Sequence, residues 1–500
     1  MKITKRTAIG ITLIALIGLT SWGLAGALTE QQYIDAGKAE YHRGNYDAAI
    51  YLFTKGLEVN PNNQYLYNDR GLCYLALGDE DKAIEDFSKA IELDADFAGA
   101  YYNRGLAYFE ARGYENAIAD YTTAIELDPD NIDAYYNRGL AYNKLFHYYR
   151  KPFTPEHNES YEKAIADFDK VLELDPEYAL AHAAKGGALY RRGEFENATA
   201  EFNIALNSTD WILQKSGGIG LAGVYKSRGR NYRAIPDYNK SIEDYNMAMN
   251  YEGKPNGHQM ANYKDVGEWN KAIELYDMRI ADPTYTQKYS AYYGAGYCYC
   301  KLGQHEKAME MYDKAFEDCL KNRPDRLYRV YQSKGDCYCE FGQYDAALEM
   351  YNKSVEECEM HSPGRLYTIY PKIGDVYLAI GEYDKAMEMY NKTVVECAEN
   401  RPNRLYRYYP KVGDAHLALN EYDKAIENYN KSIELAAKAG IEDMYVAAAY
   451  KGLGIVYKEL GENEKARAAL EKAKSLYEKY QPAVEAMENI EEIQQLLGEL

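Results

Sequence analysis

The chain has 500 residues, with 58 Lys and Arg against 78 Asp and Glu. The resulting net charge of −20 repels a phosphate backbone unless basic residues gather on one face, so nucleic acid is not an expected partner. With 47% hydrophobic and 27% charged residues the composition is that of a folded chain rather than a disordered one, and its 54 tyrosines beside 11 phenylalanines and three tryptophans need a place in the fold.

Lys2, Lys5 and Arg6 precede an apolar run from Ala8 to Leu19, and Ala25-Gly26-Ala27 then supplies the small residues at which signal peptidases cut. The apolar stretch continues through Trp22 to Leu28, close to the roughly 20 residues that span a bilayer. Residues 1–27 therefore fit both a cleaved signal peptide and a retained anchor, with 8–27 as the tether. In either case the positive-inside rule delivers residues 28–500 outside the cytoplasm.

From residue 28 a repeat sets in. Glycines recur at 37, 71, 105 and 139, each 34 residues after the last. Ala49, Ala83 and Ala117 follow the first three by twelve residues, and Phe53, Phe87 and Tyr121 come four residues later. The spacing predicts two helices per unit: the glycine lets the second helix approach closely, the alanine marks their crossing, and prolines such as Pro129 stop the second helix. After Gly139 the matching alanine is Ala164, so about thirteen extra residues within 143–161 are expected as a loop, because Pro152 and Pro155 preclude a continuous helix. This first array is placed at 28–210. Over 211–260 the pattern weakens: Gly220 to Ala234 is fourteen residues, and Pro236, Gly253, Pro255 and Gly257 intervene. A degenerate unit acting as a hinge is expected there. The second array, 261–481, has Gly296, Gly335, Gly374 and Gly413 spaced by 39, with Ala308, Ala347, Ala386 and Ala425 and then Tyr312, Tyr351, Tyr390 and Tyr429 in register. Residues 482–500 are expected as a last helix capping the apolar end.

These columns of small, aromatic and proline residues resemble the tetratricopeptide repeat family over nearly all of residues 30–480. The resemblance implies an all-α fold, a right-handed α-solenoid of about twelve helix-turn-helix units in two sub-arrays. HEAT and armadillo arrays have periods near 40, but the constant glycine-to-alanine interval argues against them. It further implies a concave groove, lined by the first helices, that binds a peptide or protein partner. Tyr102, Asn103, Tyr136 and Asn137 stand just before the repeat glycine, where the family's residues face that groove. The asparagines resemble the ladder by which O-GlcNAc transferase arrays hold a peptide backbone, though Asp69 and Asp35 replace them in the neighbouring units. Solvated repeat residues account for the same pattern. The family's chaperone-tail clamp is not reproduced by Lys38 alone.

Lys372 and Lys411 also fall in the groove, three residues before Asp375 and Asp414, and pairing within each helix is expected. Arg326, Arg365 and Arg404 recur in the connections of the second array. They form either an edge for an anionic partner or a set of guanidiniums satisfying the preceding helix ends and Glu356 or Glu396. Cys73, Cys298 and Cys337 occupy one column of small residues, and Cys319, Cys358 and Cys397 another, which points to packing. For the Cys298/Cys300 and Cys337/Cys339 pairs a bridge between adjacent units stays open, while their spacing does not suit zinc. Gly218-Ile-Gly220-Leu-Ala-Gly223 matches a dinucleotide-binding expression without the strand it requires, and no catalytic, metal or cofactor constellation stands out. The expected function is a non-enzymatic interaction scaffold exported from the cytoplasm. The alternative is a membrane-tethered assembly factor for an envelope complex.

Overall fold

The computed structural model describes residues 28–148 and 155–500; the export segment read at 1–27 lies outside them. The described residues form 25 α-helices and no strand, in two compact units divided between Ile212 and Leu213. Unit 1 holds five hairpins: α1 (Glu30–His42) with α2 (Tyr46–Val59), α3 (Gln64–Leu77) with α4 (Glu80–Leu93), α5 (Ala98–Glu110) with α6 (Tyr114–Leu127), α7 (Ile132–Tyr148) with α8 (Pro155–Leu174), and α9 (Ala179–Arg192) with α10 (Phe195–Asn207). Helix α11 (Thr209–Ala234) contains the division and breaks at Gly217, whose φ of 67° and ψ of −175° are not helical.

Unit 2 pairs the rest of α11 with α12 (Tyr238–Glu252), then α13 (Gly257–Asp265) with α14 (Trp269–Ala281), α15 (Lys288–Lys301) with α16 (His305–Asn322), and α17 (Leu327–Glu340) with α18 (Tyr344–His361). Three more hairpins follow, α19 (Tyr370–Ala379) with α20 (Tyr383–Asn400), α21 (Tyr409–Ala418) with α22 (Tyr422–Lys438), and α23 (Met444–Glu459) with α24 (Asn463–Glu478), before the single helix α25 (Val484–Gly498). Most hairpins are held by one lock. A Cβ added to Gly37 would stand 2.4 Å from the Phe53 ring, one on Gly105 2.7 Å from Tyr121, and one on Gly374 2.5 Å from Tyr390, so only glycine admits the ring. Ala49, Ala117 and Ala386 are fully buried one turn before those rings. The 39-residue unit arises from second helices of 18 residues in α16, α18 and α20, against 14 in α4, and from 3₁₀ turns at Pro324–Arg326, Pro363–Thr368 and Pro402–Arg407.

Three expectations change. The extra residues within 143–161 do not form a loop throughout: α7 runs on to Tyr148 and α8 starts at Pro155. Proline is accepted in the first turn because its missing N–H would have no partner there. Residues 211–260 are folded hairpins, and their register is not Gly220 to Ala234. The close-approach glycine is Gly229, whose added Cβ would meet Asp244 and the Tyr245 ring, whereas one on Gly220 would meet only Ser216. Ser241, fully buried, takes the alanine's place twelve residues on, and its hydroxyl donates to the Gly229 carbonyl at 2.6 Å. In the next hairpin Met260 replaces the glycine, with Ala272 and Tyr276 in register and all three buried. The Gly218-to-Gly223 match lies inside α11 and makes no phosphate-cradling turn.

The third concerns the end of the chain. Ala486, Ile490 and Ile493 of α25 pack on Leu470, Ala473 and Leu476 of α24, covering the apolar end as expected. The same cluster, however, takes in Tyr238 and Val266 from the start of unit 2. A Cβ on Gly267 would stand 2.9 Å from Val484. Unit 2 therefore closes on itself.

Candidate functional site

The first helices of successive hairpins touch one another and form the inner face of each unit. In unit 1 the arginines just before three of the repeat glycines are turned to the second helices, while Lys38, just after Gly37, pairs with Asp69 of the next first helix at 3.6 Å. Arg70, Arg104 and Arg138 each reach a carboxylate of their own hairpin with two nitrogens: Asp86 at 2.8 and 2.7 Å, Asp120 at 2.8 and 2.8 Å, and Asp167 at 3.0 and 2.7 Å. A third nitrogen donates to Thr54, Ser88 or Thr122 of the preceding second helix, at 3.1 Å in each case. Burial raises the pKa of Asp86 and Asp167, against the pull of their arginines.

The inner face itself then carries amides and rings. Asn103 donates to Asn68 of the preceding unit at 2.8 Å. Asn137 donates to the Tyr102 hydroxyl at 3.0 Å and to the Asp133 carbonyl at 2.9 Å. Tyr102 leans on Tyr121, with ring centroids 5.9 Å apart, and Tyr136 on Tyr178 at 5.2 Å. Burial, and after it the Asp133 carboxylate, push Tyr102 and Tyr136 up to about 12. The four residues singled out in sequence thus lie together, but they are joined by Asp133, Tyr178 and Trp211, which the repeat pattern did not mark. Tyr178 stands just before α9, in a column where Phe97 is the aromatic before α5, and Trp211 belongs to the weak segment. A tryptophan at the end of a regular array was the available signal.

Unit 2 treats its inner face differently. Lys372 does not pair with Asp375 three residues on; its ammonium bridges to Asp336 of the preceding unit at 2.7 Å. Lys411 likewise reaches back to Asp375 at 3.0 Å. Within one helix the side chains at three-residue spacing lie along the axis, whereas the preceding first helix faces them directly. The ring of each lock completes a rung: Tyr351, Tyr390 and Tyr429 donate to Asp336, Asp375 and Asp414 at 2.7, 2.7 and 2.8 Å. At the last rung Lys451 turns instead to Asn489 at 2.8 Å and Glu492 at 2.9 Å of α25. Burial pushes the Asp414 carboxyl up, opposed by Lys411 and Tyr429. Both lysines of the expected groove are therefore already paired.

The arginine edge divides. Arg326 pairs with Asp325 of its own 3₁₀ turn at 3.1 Å rather than with Glu356. Arg365 is half-buried and Arg404 exposed. The helix ends they were expected to satisfy are met by thiols: Cys319, Cys358 and Cys397 donate to the carbonyls of Arg323, Ser362 and Arg401 at 3.1, 3.1 and 3.3 Å. All eight cysteines are free, seven of them buried. The bridge left open between adjacent repeats is not formed: Cys300 lies against Cys337 of the next hairpin, its sulfur 3.8 Å from the Cys337 carbonyl oxygen, and both thiols are free. Burial pushes Cys73 and Cys298 up to about 12, away from the thiolate that metal binding or nucleophilic attack needs.

Models described as tetratricopeptide repeat match residues 52–85, 157–210, 287–360, 367–394 and 405–479, and one described as TPR repeat matches 71–111 and 113–145, together more than half of the chain. No curated protein matches it. Solved structures that do include the MamA protein, 28% identical over 37% of this chain and 95% of that one with a TM-score of 0.32. YrrB, described as a TPR protein with an unusual peptide-binding site, is 22% identical over 40% of this chain and 92% of its own, with a TM-score of 0.30. The first TPR of Spaghetti (RPAP3), bound to an HSP90 peptide, is 30% identical over 23% and 93%, with a TM-score of 0.23.

Proposed function

The chain belongs to the tetratricopeptide repeat family, generally non-enzymatic interaction scaffolds, and from that premise we propose that it binds an extended polypeptide along the inner face of unit 1. The observation that carries this reading is where each unit satisfies its polar groups. In unit 2 the inner lysines and aspartates consume one another, Lys372 on Asp336 and Lys411 on Asp375, and α25 takes Lys451. In unit 1 Arg70, Arg104 and Arg138 set their ion pairs between the two helices of a hairpin, and the one Lys–Asp pair between its first helices, Lys38 with Asp69 at 3.6 Å, lies before the hairpins of Asn103 and Asn137. The inner carboxamides keep capacity in reserve: Asn103 donates to Asn68, and Asn137 uses its two N–H groups within the chain, which leaves its oxygen as an acceptor. A carboxamide offers two donors and a two-lone-pair acceptor, matched to a peptide backbone. Photo-crosslinking tests the reading. With a benzophenone amino acid at position 102 of the full chain a discrete protein adduct is expected, lost in the Asn103→Ala, Asn137→Ala background. With the same group at position 372 none is expected; equal capture at both positions would refute the assignment.

We further infer that the array works outside the cytoplasm, delivered by residues 1–27. The support is the order Lys2, Lys5, Arg6, then the apolar run Ala8 to Leu19, then Ala25-Gly26-Ala27. Protease added to cells with a permeabilised outer layer should digest the repeats. An array protected until the cytoplasmic membrane is broken would exclude export.

A further inference from the structure

Asp133 sits at the head of α7, on the inner face of unit 1, and its side chain is exposed. No lysine, arginine or histidine among the described residues forms an ion pair with it, although the carboxylates facing Arg70, Arg104 and Arg138 are all paired. Three rings from successive hairpins, Tyr136 on α7, Tyr178 just before α9 and Trp211 on α11, form a row that meets it through Tyr178. Tyr178 donates to its carboxylate at 3.2 Å. The Tyr178 ring packs against both Tyr136 and Trp211, with centroids 5.2 and 5.0 Å away and the planes tilted by 45° and 58°. These are continuous rings, all partly exposed, that form a wall with a carboxylate at its foot. A ring face attracts a cation through its quadrupole, tryptophan most strongly, and the carboxylate supplies the opposite charge and a hydrogen-bond acceptor. The wall also repels an anion, in a chain of net charge −20. The Tyr178 bond occupies one of its oxygens and leaves the other.

We propose that Asp133, with the rings of Tyr136, Tyr178 and Trp211, is the seat for a lysine or arginine side chain of the polypeptide that binds unit 1. This rests on the inner-face reading above and adds the partner's chemistry: a basic residue lies where the chain passes α7, with the backbone held by Asn103 one hairpin nearer the N-terminus of the array and by Asn137 on α7 itself.

The test uses the full chain and labelled decapeptide pools, random except for one fixed central residue: lysine, arginine, citrulline as the neutral isostere of arginine, or glutamate. Fluorescence anisotropy is expected to show the lysine and arginine pools binding at least tenfold more tightly than the citrulline and glutamate pools. Asp133→Asn should remove most of that preference while leaving the citrulline pool unchanged, and Trp211→Leu should reduce it severalfold. Binding that Asn103→Ala, Asn137→Ala abolishes but that shows no preference for a basic residue overturns this inference and leaves the inner-face reading standing. A basic preference untouched by Asp133→Asn overturns it as well, since the cation is then held elsewhere. If no pool binds, both readings fall. Circular dichroism of Asp133→Asn identical to the parent is expected, as the side chain is exposed and supports no ion pair.

Discussion

The two units build the same hairpin with the same glycine lock, yet place their charges on opposite sides of it. In unit 1 the locking ring is mostly phenylalanine, Phe53, Phe87 and Phe168, and the residue after the glycine is aliphatic in Leu72, Leu106 and Leu140. The ion pair is set between helices, as in Arg70 with Asp86. In three hairpins of unit 2, α17 to α22, the ring is tyrosine, the residue after the glycine is Asp336, Asp375 or Asp414, and the hydroxyl reaches through to the carboxylate on the inner face; the first hairpin of this unit keeps the arrangement of unit 1, Arg228 with Asp244. At the place of Asp86 later hairpins of this unit have Met311, Met350 and Met389. One change of side, made coherently at three positions, converts a face with hydrogen-bonding capacity left over into one that satisfies itself. Part of the excess of tyrosine is the cost of that conversion.

The largest expected effect tests the charge pair inside unit 1. Asp86→Ala leaves the partly buried Arg70 guanidinium, 18% exposed, without its partner; an uncompensated buried charge costs about 3–5 kcal/mol, and water at Arg70 brings the expected loss to about 2–3 kcal/mol. Because a repeat array need not unfold as one transition, hydrogen exchange measured by mass spectrometry is the proper readout, with protection falling in α3 and α4 first. Lys372→Met removes an ion pair of similar length but from side chains 34% and 30% exposed, and should cost at most about 1 kcal/mol. Equal losses in the two units would break the comparison.

The closure of unit 2 comes next. Val484→Asp places a carboxylate against Gly267, beside the cluster that joins Tyr238 and Val266 to α25, and should cost about 1–3 kcal/mol. The expected pattern is faster exchange in α13 and α25 together, although the two are over 200 residues apart in sequence, with α17 and α18 unchanged. Exchange confined to α25 would mean that the helix only covers the end of the array.

Most of the fold could be read in the sequence because the lock demands one residue type: a ring packed where a Cβ would stand leaves only glycine, and glycine at fixed intervals is conspicuous. Where another solution was used the reading slipped. Ser241 replaces the alanine and satisfies its hydroxyl on Gly229, so the true register was hidden by the nearer, glycine-rich stretch at 217–223. Met260 replaces the glycine itself. Pro155 was read as a helix breaker, yet it starts a helix. The candidate site was half legible: Tyr102, Asn103, Tyr136 and Asn137 follow from their place before the glycine. The partners of Lys372 and Lys411 depend on contact between first helices 36 residues apart, and local spacing favoured the wrong aspartate. Asp133, Tyr178 and Trp211 meet only through tertiary packing.

A smaller and more local test concerns the rungs. Tyr390→Phe deletes the hydroxyl that donates to Asp375 at 2.7 Å, and leaves that carboxylate to Lys411 alone. Since Asp375 is 44% exposed, water replaces part of the bond, and a loss of about 1 kcal/mol is expected, read as faster exchange in α19 and α20.

The smallest effect has the opposite sign and is the sharpest for the comparison. Tyr121 is the one unit 1 lock among the first four hairpins to carry a hydroxyl, and it faces Leu106 where unit 2 would supply an aspartate. Its oxygen is buried without a hydrogen-bond partner, and burial pushes its pKa well above the ordinary value. A hydroxyl desolvated with nothing to bond weakens the fold, so Tyr121→Phe should be neutral or stabilising by up to about 1 kcal/mol, while the same change at Tyr390 destabilises. The double change Tyr121→Phe with Tyr390→Phe should be additive, because the residues lie in different units. If the two single variants shift protection in the same direction, the tyrosines of unit 2 owe their place to ring packing alone, and the Tyr–Asp–Lys rungs are a by-product of it.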